Sequence, residues 1–140
     1  MTDESGQITV LTLGFALVVF AVAGLAVDGT KAFIARRSLQ NTADAAAVSG
    51  AGAIDAARYY RSGGSDIRLH LGRAEDEALR VLSQRSLAAS ADVLTGEGGV
   101  RVLLRTRVAT SFLRLVGIDA IEVSATAAAE PFPQRVPIGR

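Results

Sequence analysis

The chain has no cysteine, so it holds no disulfide, no thiolate metal site and no attachment point for a lipoprotein lipid. A single histidine, His70, leaves no Ser/His/Asp or Cys/His set to assemble. Lysine is nearly missing too: Lys31 stands alone beside fourteen arginines, and no basic residue precedes it. With a net charge of +1 and no aromatic cluster for stacking on bases, nucleic acid is excluded as a partner. The three prolines, Pro131, Pro133 and Pro137, all fall in the last ten residues, so nothing earlier forbids long helices. Gly96-Glu-Gly-Gly lacks the Lys and Ser/Thr of a phosphate loop, and no HExxH or calcium-loop spacing occurs. The acidic run Glu75-Asp-Glu77 reads as a solvated face, since no second ligand cluster accompanies it. These absences argue against an enzyme, and they call for no cofactor and no metal.

What the chain does have is an uncharged run of twenty residues, 8–27, ending at Asp28. At about 1.5 Å per helical residue the run covers about 30 Å, the hydrocarbon thickness of a bilayer. The head before it, residues 1–7, is acidic and lacks the positive n-region of a secretory signal. Ala21-Val-Ala23 imitates a cleavage site, but the run is long for a signal core, so a retained single-pass anchor is the expectation. Asp28 marks its boundary. It is either a stop marker among headgroups or a carboxylate paired with a basic group on a partner helix. Lys31, Arg36 and Arg37 lie just beyond it, and by charge alone they place the C-terminal side in the cytoplasm.

From residue 28 to about 61 the pattern predicts a helical stalk continuing the anchor, with Asp28-Gly29 the one expected break. Ala32, Leu39, Ala43, Ala46, Gly50, Ala53 and Ala57 recur at helical spacing, forming a thin stripe of small residues. Such a stripe is either a high-propensity spacer or a packing seam for partner helices. Its glycines favour the seam, with Asp28, Leu39, Ala43, Ala46, Gly50 and Ala53 as its interaction residues.

Arg61-Ser-Gly-Gly-Ser ends the stalk, and Ser65 or Asp66 offers an N-cap for a second helix to about Ala88, with His70 beside its apolar stripe in a structural role. The period then turns to two. A strand over Ala91–Thr95 meets the turn Gly96-Glu-Gly-Gly. The next strand buries Val100, Val102, Leu104, Thr106 and Val108, and turns Arg101, Arg105 and Arg107 outward, where they pair with carboxylates such as Glu122. Thr110-Ser111 caps a short helix closed by Gly117, and a last strand sets Ile121, Val123, Ala125, Ala127 and Ala129 on one face. The expected fold is α+β: a transmembrane helix continuing as a stalk, a second helix, and a sheet of about three strands with a short helix. Residues 65–130 make a small extracytoplasmic domain, and residues 131–140 a proline-containing tail.

Gly6-Gln7, the span ending Gly24-Leu-Ala-Val-Asp28, Phe33, and Arg36-Arg37-Ser-Leu39-Gln40-Asn-Thr-Ala-Asp44-Ala45-Ala-Ala-Val-Ser-Gly-Ala51 together resemble the N-terminal segment of TadE/TadG-like proteins, the pilin-like components of tight-adherence (Flp-type) pilus and secretion systems. The resemblance covers about residues 5–53, with a weaker likeness at Thr110–Ile118 and Ile121–Ala127. It implies a subunit of the cell membrane with a cytoplasmic N-terminus and an extracytoplasmic C-terminal domain, opposite to the charge reading. It also implies partners among other apparatus subunits, including copies of itself, beside the membrane. The pattern departs at one point. Pilin-like members processed by a prepilin peptidase carry Glu at the fifth mature position, and here that position after Gly6 is Leu11, which puts processing in doubt. The C-terminal metal-binding adhesion domain of larger TadG-like chains is not expected at this length. A membrane-anchored sensor that reads an acidic ligand on its Arg101/Arg105/Arg107 face is the alternative, and a cleaved secreted protein comes third.

Overall fold

The computed structural model describes residues 4–85 and 88–132. Three helices, α1 (Glu4–Ala51), α2 (Ala56–Arg61) and α3 (Leu71–Gln84), precede three strands, β1 (Ser90–Gly96), β2 (Gly99–Ala109) and β3 (Ala120–Ala129). A 3-10 turn, Leu113–Val116, joins the last two strands. The fold is α+β, with a three-stranded antiparallel sheet in the order β1-β2-β3. The chain divides into two compact units. One holds residues 1–35 and 107–122, the other residues 36–106 and 123–140.

In the first unit the apolar stretch of α1 is a bare helix, with Leu11, Phe15 and Phe20 all exposed. Among the described residues it is the one helix long and apolar enough to cross a membrane. Its threonine hydroxyls do not need water. Thr12 donates to the Ile8 carbonyl at 2.9 Å and Thr30 to that of Ala26 at 2.7 Å, as hydroxyls in apolar helices do. The helix starts at Glu4, so residues 4–7 of the expected head belong to it, while residues 1–3 lie outside the described residues.

Asp28-Gly29 does not break the helix, which runs on to Ala51. The real break comes ten residues earlier than the stalk's expected end. Gly50 and Gly52 weaken helix propensity there. The backbone turns through Ala53 N to the Gly50 carbonyl (3.0 Å), and Ile54 forms an isolated antiparallel bridge with Leu69. Asp55 then caps α2, accepting from Arg58 N at 3.1 Å. The small side chains of residues 52–55 fit the helical stripe, but the Asp after Gly-Ala-Gly-Ala-Ile is a new N-cap.

The cap of α3 also shifts. His70, not Ser65 or Asp66, precedes it, with its Nδ1 facing Arg73 N at 3.4 Å. Asp66 is spent on Arg58 (2.6 Å) and Arg68 (3.1 Å), and the segment after it is extended to meet Ile54. The helix stops at Gln84, and residues 86–87 of the expected continuation lie outside the described residues.

The second unit's core is made of mostly small helix residues and aliphatic strand residues. Leu39, Ala43, Ala46 and Ala47 of α1 are buried, as are Ala74 and Ala78 of α3. So are Val100, Val102 and Leu104 of β2, and Val123, Ala125 and Ala127 of β3. Strands β1 and β2 pair antiparallel from Ser90↔Arg105 to Gly96↔Gly99, leaving Glu97-Gly98 as a two-residue turn. Gly99 sits at φ 135°, and a Cβ there runs into the Ala129 carbonyl. Residues 133–140, most of the expected tail with Pro133 and Pro137, lie outside the described residues.

Candidate functional site

The most organised polar feature of the first unit is built on Asp28. Its carboxylate is 1% exposed, yet the flanking helix is bare, so something else must cover it. The cover is the segment after β2. Oδ1 accepts from Ser111 N at 2.7 Å, and Oδ2 accepts from Phe112 N and Leu113 N, both at 2.8 Å. Three successive N–H groups converging on one carboxylate are the donors that the start of a helical turn leaves unpaired. Thr110 and Ser111 were expected to cap this turn from within. Instead the cap comes from a residue 83 positions away, and Phe112 at the cap position offers no side-chain bond. Lys31 supports the arrangement. Its Nζ donates to Ser111 Oγ and stands 4.0 Å from Asp28 Oδ1.

The turn's other end is closed locally. Gly117 adopts φ 88°, and its N–H reaches the Arg114 carbonyl at 3.1 Å, an αL closure that residues with a Cβ rarely adopt. Thr110, buried, ties the loop's base: its N–H donates to the Asp119 carbonyl at 3.0 Å and its Oγ1 to that of Ile118. One turn of α1 before Asp28, Gly24 receives the Phe112 ring. A Cβ on Gly24 stands 2.6 Å from Phe112 Cβ, so glycine is what lets the loop seat against the helix. Asp28 is therefore shielded from solvent by the chain's own loop, and it latches that loop to α1.

The remaining expected residues lie in the second unit or at the start of α1. Leu39, Ala43, Ala46 and Gly50 are buried by the chain's own residues and Ala53 is half-buried. A Cβ on Gly50 meets the Ala74 carbonyl at 2.7 Å and Val100 at 3.2 Å, so α3 and β2 already occupy that face. Gln40 donates to Asp44 (2.9 Å) and to the Thr126 carbonyl (3.1 Å), fastening α1 to β3. Arg36 and Arg37 are exposed, Ala45 is half-buried, and Gly6 has open space around it. Arg101, Arg105 and Arg107 are exposed, but Arg105 pairs with Asp92 at 3.6 Å rather than with Glu122. Among the described residues no group of three or more His, Asp or Glu could hold a metal ion.

Residues 6–56 match the family model described as Putative Flp pilus-assembly TadE/G-like, so the resemblance to TadE/TadG-like proteins holds over that segment. No curated protein and no solved structure matches the chain. The match contains Asp28 and Gly24 but not their counterparts at residues 111–113.

Proposed function

We propose that the chain is a membrane-anchored, pilin-like component that helps assemble a tight-adherence (Flp-type) pilus or a related secretion apparatus. It acts by helix packing and protein–protein contact, not by catalysis. The observation that carries this reading is the TadE/G-like match over residues 6–56, which joins the anchor to the Arg36-to-Ala51 segment. The exposed apolar face of α1 supports it, because that surface has no cover from the chain itself and is free for lipid and for neighbouring helices. The buried Leu39-to-Gly50 stripe contributes by holding the second unit together, and the partner-facing surface is assigned to the span. The N-terminus lies in the cytoplasm and the sheet outside it.

Extraction in mild detergent tests the assembly role. Pilus-apparatus subunits are expected to co-purify with the full-length chain, and recovery of the chain alone from a pilus-forming cell would defeat the proposal. Orientation is read separately. With no native cysteine, Glu97→Cys gives one exposed thiol, which an impermeant maleimide should label in intact spheroplasts. Labelling only after lysis would reverse the orientation.

A further inference from the structure

The loop that Asp28 holds carries an apolar tip with no cover. Leu115 is 79% and Val116 74% exposed, and Ile118 and Phe112 are also exposed. Exposed apolar side chains are unfavourable in water, yet this loop is fastened in place by three hydrogen bonds and closed at both ends. Its height along the anchor is fixed as well. The Phe112 ring seats on Gly24, four residues inside the apolar run, which is about 6 Å below Asp28 along the helix axis. A loop tied to the anchor at that height lies at the depth where the hydrocarbon begins. The charges agree with the depth. Lys31 and Arg114 flank the latch, as basic groups do at the level of lipid phosphates, and the loop's own carboxylate, Asp119, follows only after the tip.

We infer that the 3-10 loop is a second membrane contact: Phe112, Leu115 and Val116 insert into the acyl boundary of the leaflet beside the anchor, with Arg114 and Lys31 at the phosphates. Asp28 is the positioning residue that holds the loop at this depth. The inference rests on the reading of residues 8–27 as a membrane span. It adds a lipid-facing surface from the C-terminal half of the chain, which lies outside the TadE/G-like match. The anchor alone leaves the first unit free to rotate about the helix axis, whereas a second insertion fixes that rotation.

The test uses the full chain reconstituted in phosphatidylcholine vesicles, with one thiol at a time carrying an environment-sensitive fluorophore. Leu115→Cys and Val116→Cys report the loop, Phe15→Cys the anchor, and Glu97→Cys a side chain on the β1–β2 turn. Both loop labels are expected to show blue-shifted emission and severalfold weaker quenching by iodide than the Glu97 label. Nitroxide lipids labelled near the headgroup should quench them more than lipids labelled deep in the chain, with the reverse order for Phe15. If the loop labels are as open to iodide as Glu97 while Phe15 stays shielded, the inference fails and the anchor stands. If Phe15 itself is open to iodide, the span on which the inference rests is lost. Shielding of the loop that disappears as lipid is added at constant protein means a second copy covers it, which also overturns the inference.

Discussion

Asp28 meets its three donors through both oxygens, one bond on Oδ1 and two on Oδ2. Replacing it by Asn keeps the shape but turns an amide NH2 toward N–H groups, so at least one buried donor loses its partner. Asp28→Asn is expected to speed hydrogen exchange at the Ser111, Phe112 and Leu113 amides severalfold, while Val102 in β2 is unchanged. Equal protection in mutant and wild type would show that the carboxylate is not what orders the loop. Asp66 is a second carboxylate with a defined task. The hydrogen bond from Arg58 pulls it below the ordinary carboxylate value, burial opposes this, and Arg68 adds to the lowering. A group lowered in the folded state contributes stability above its unfolded value, about 3.9, and loses it as pH falls through the folded one. The loop around Ile54 and Leu69 should therefore loosen in that acid window. Asp66→Asn should remove this part of the pH dependence, as read from thermal unfolding at several pH values. The exposed ion pair makes the effect small.

At the level of elements, the close approach of α1 to α3 and β2 depends on Gly50. A leucine there gains helix propensity but drives a side chain into the Ala74 carbonyl, a backbone atom that has nowhere to rotate. Gly50→Leu is expected to destabilise the second unit by about 1–3 kcal/mol or more, measured by urea unfolding in detergent micelles. A stability gain would mean that this face is loosely packed. The hairpin has a similar point at Gly99, where a positive φ coincides with the Ala129 carbonyl in the path of any Cβ. Gly99→Ala should cost more than about 1 kcal/mol, because strain and collision outweigh the lower entropy of the unfolded chain. Gly98→Ala, with open space around it, is the matched control and should cost less.

Across the whole molecule, the parts that announced themselves in the sequence are those governed by period. The apolar run, the alternation from Val100 to Val108 and the Ile121-to-Ala129 face were all legible, because each rests on side chains repeating at a helix or strand spacing. What stayed hidden depends on pairs far apart in the chain. Gly52 to Asp55 reads as helix until Leu69 is known to bridge Ile54, and Ser65 reads as a cap until Asp66 is seen held by Arg58 and Arg68. The latch is half visible. A lone carboxylate after an uncharged span stands out, and a basic side chain, Lys31, does stand near it. Its direct hydrogen-bond donors, however, are backbone N–H groups, which every non-proline residue carries and no residue type marks.

The separation of Asp28 from Ser111 by 83 residues also sets an order of events during synthesis. At about 5–20 residues per second, Asp28 emerges about 4–17 s before the amides that will bind it exist. On the proposed membrane reading, its charge is solvated by water and headgroups through that interval, which keeps the end of the apolar run at the lipid surface instead of letting it slide inward. The loop then arrives at a helix whose height is already set, so the last bonds of the first unit close on a ruler laid down by its first thirty residues.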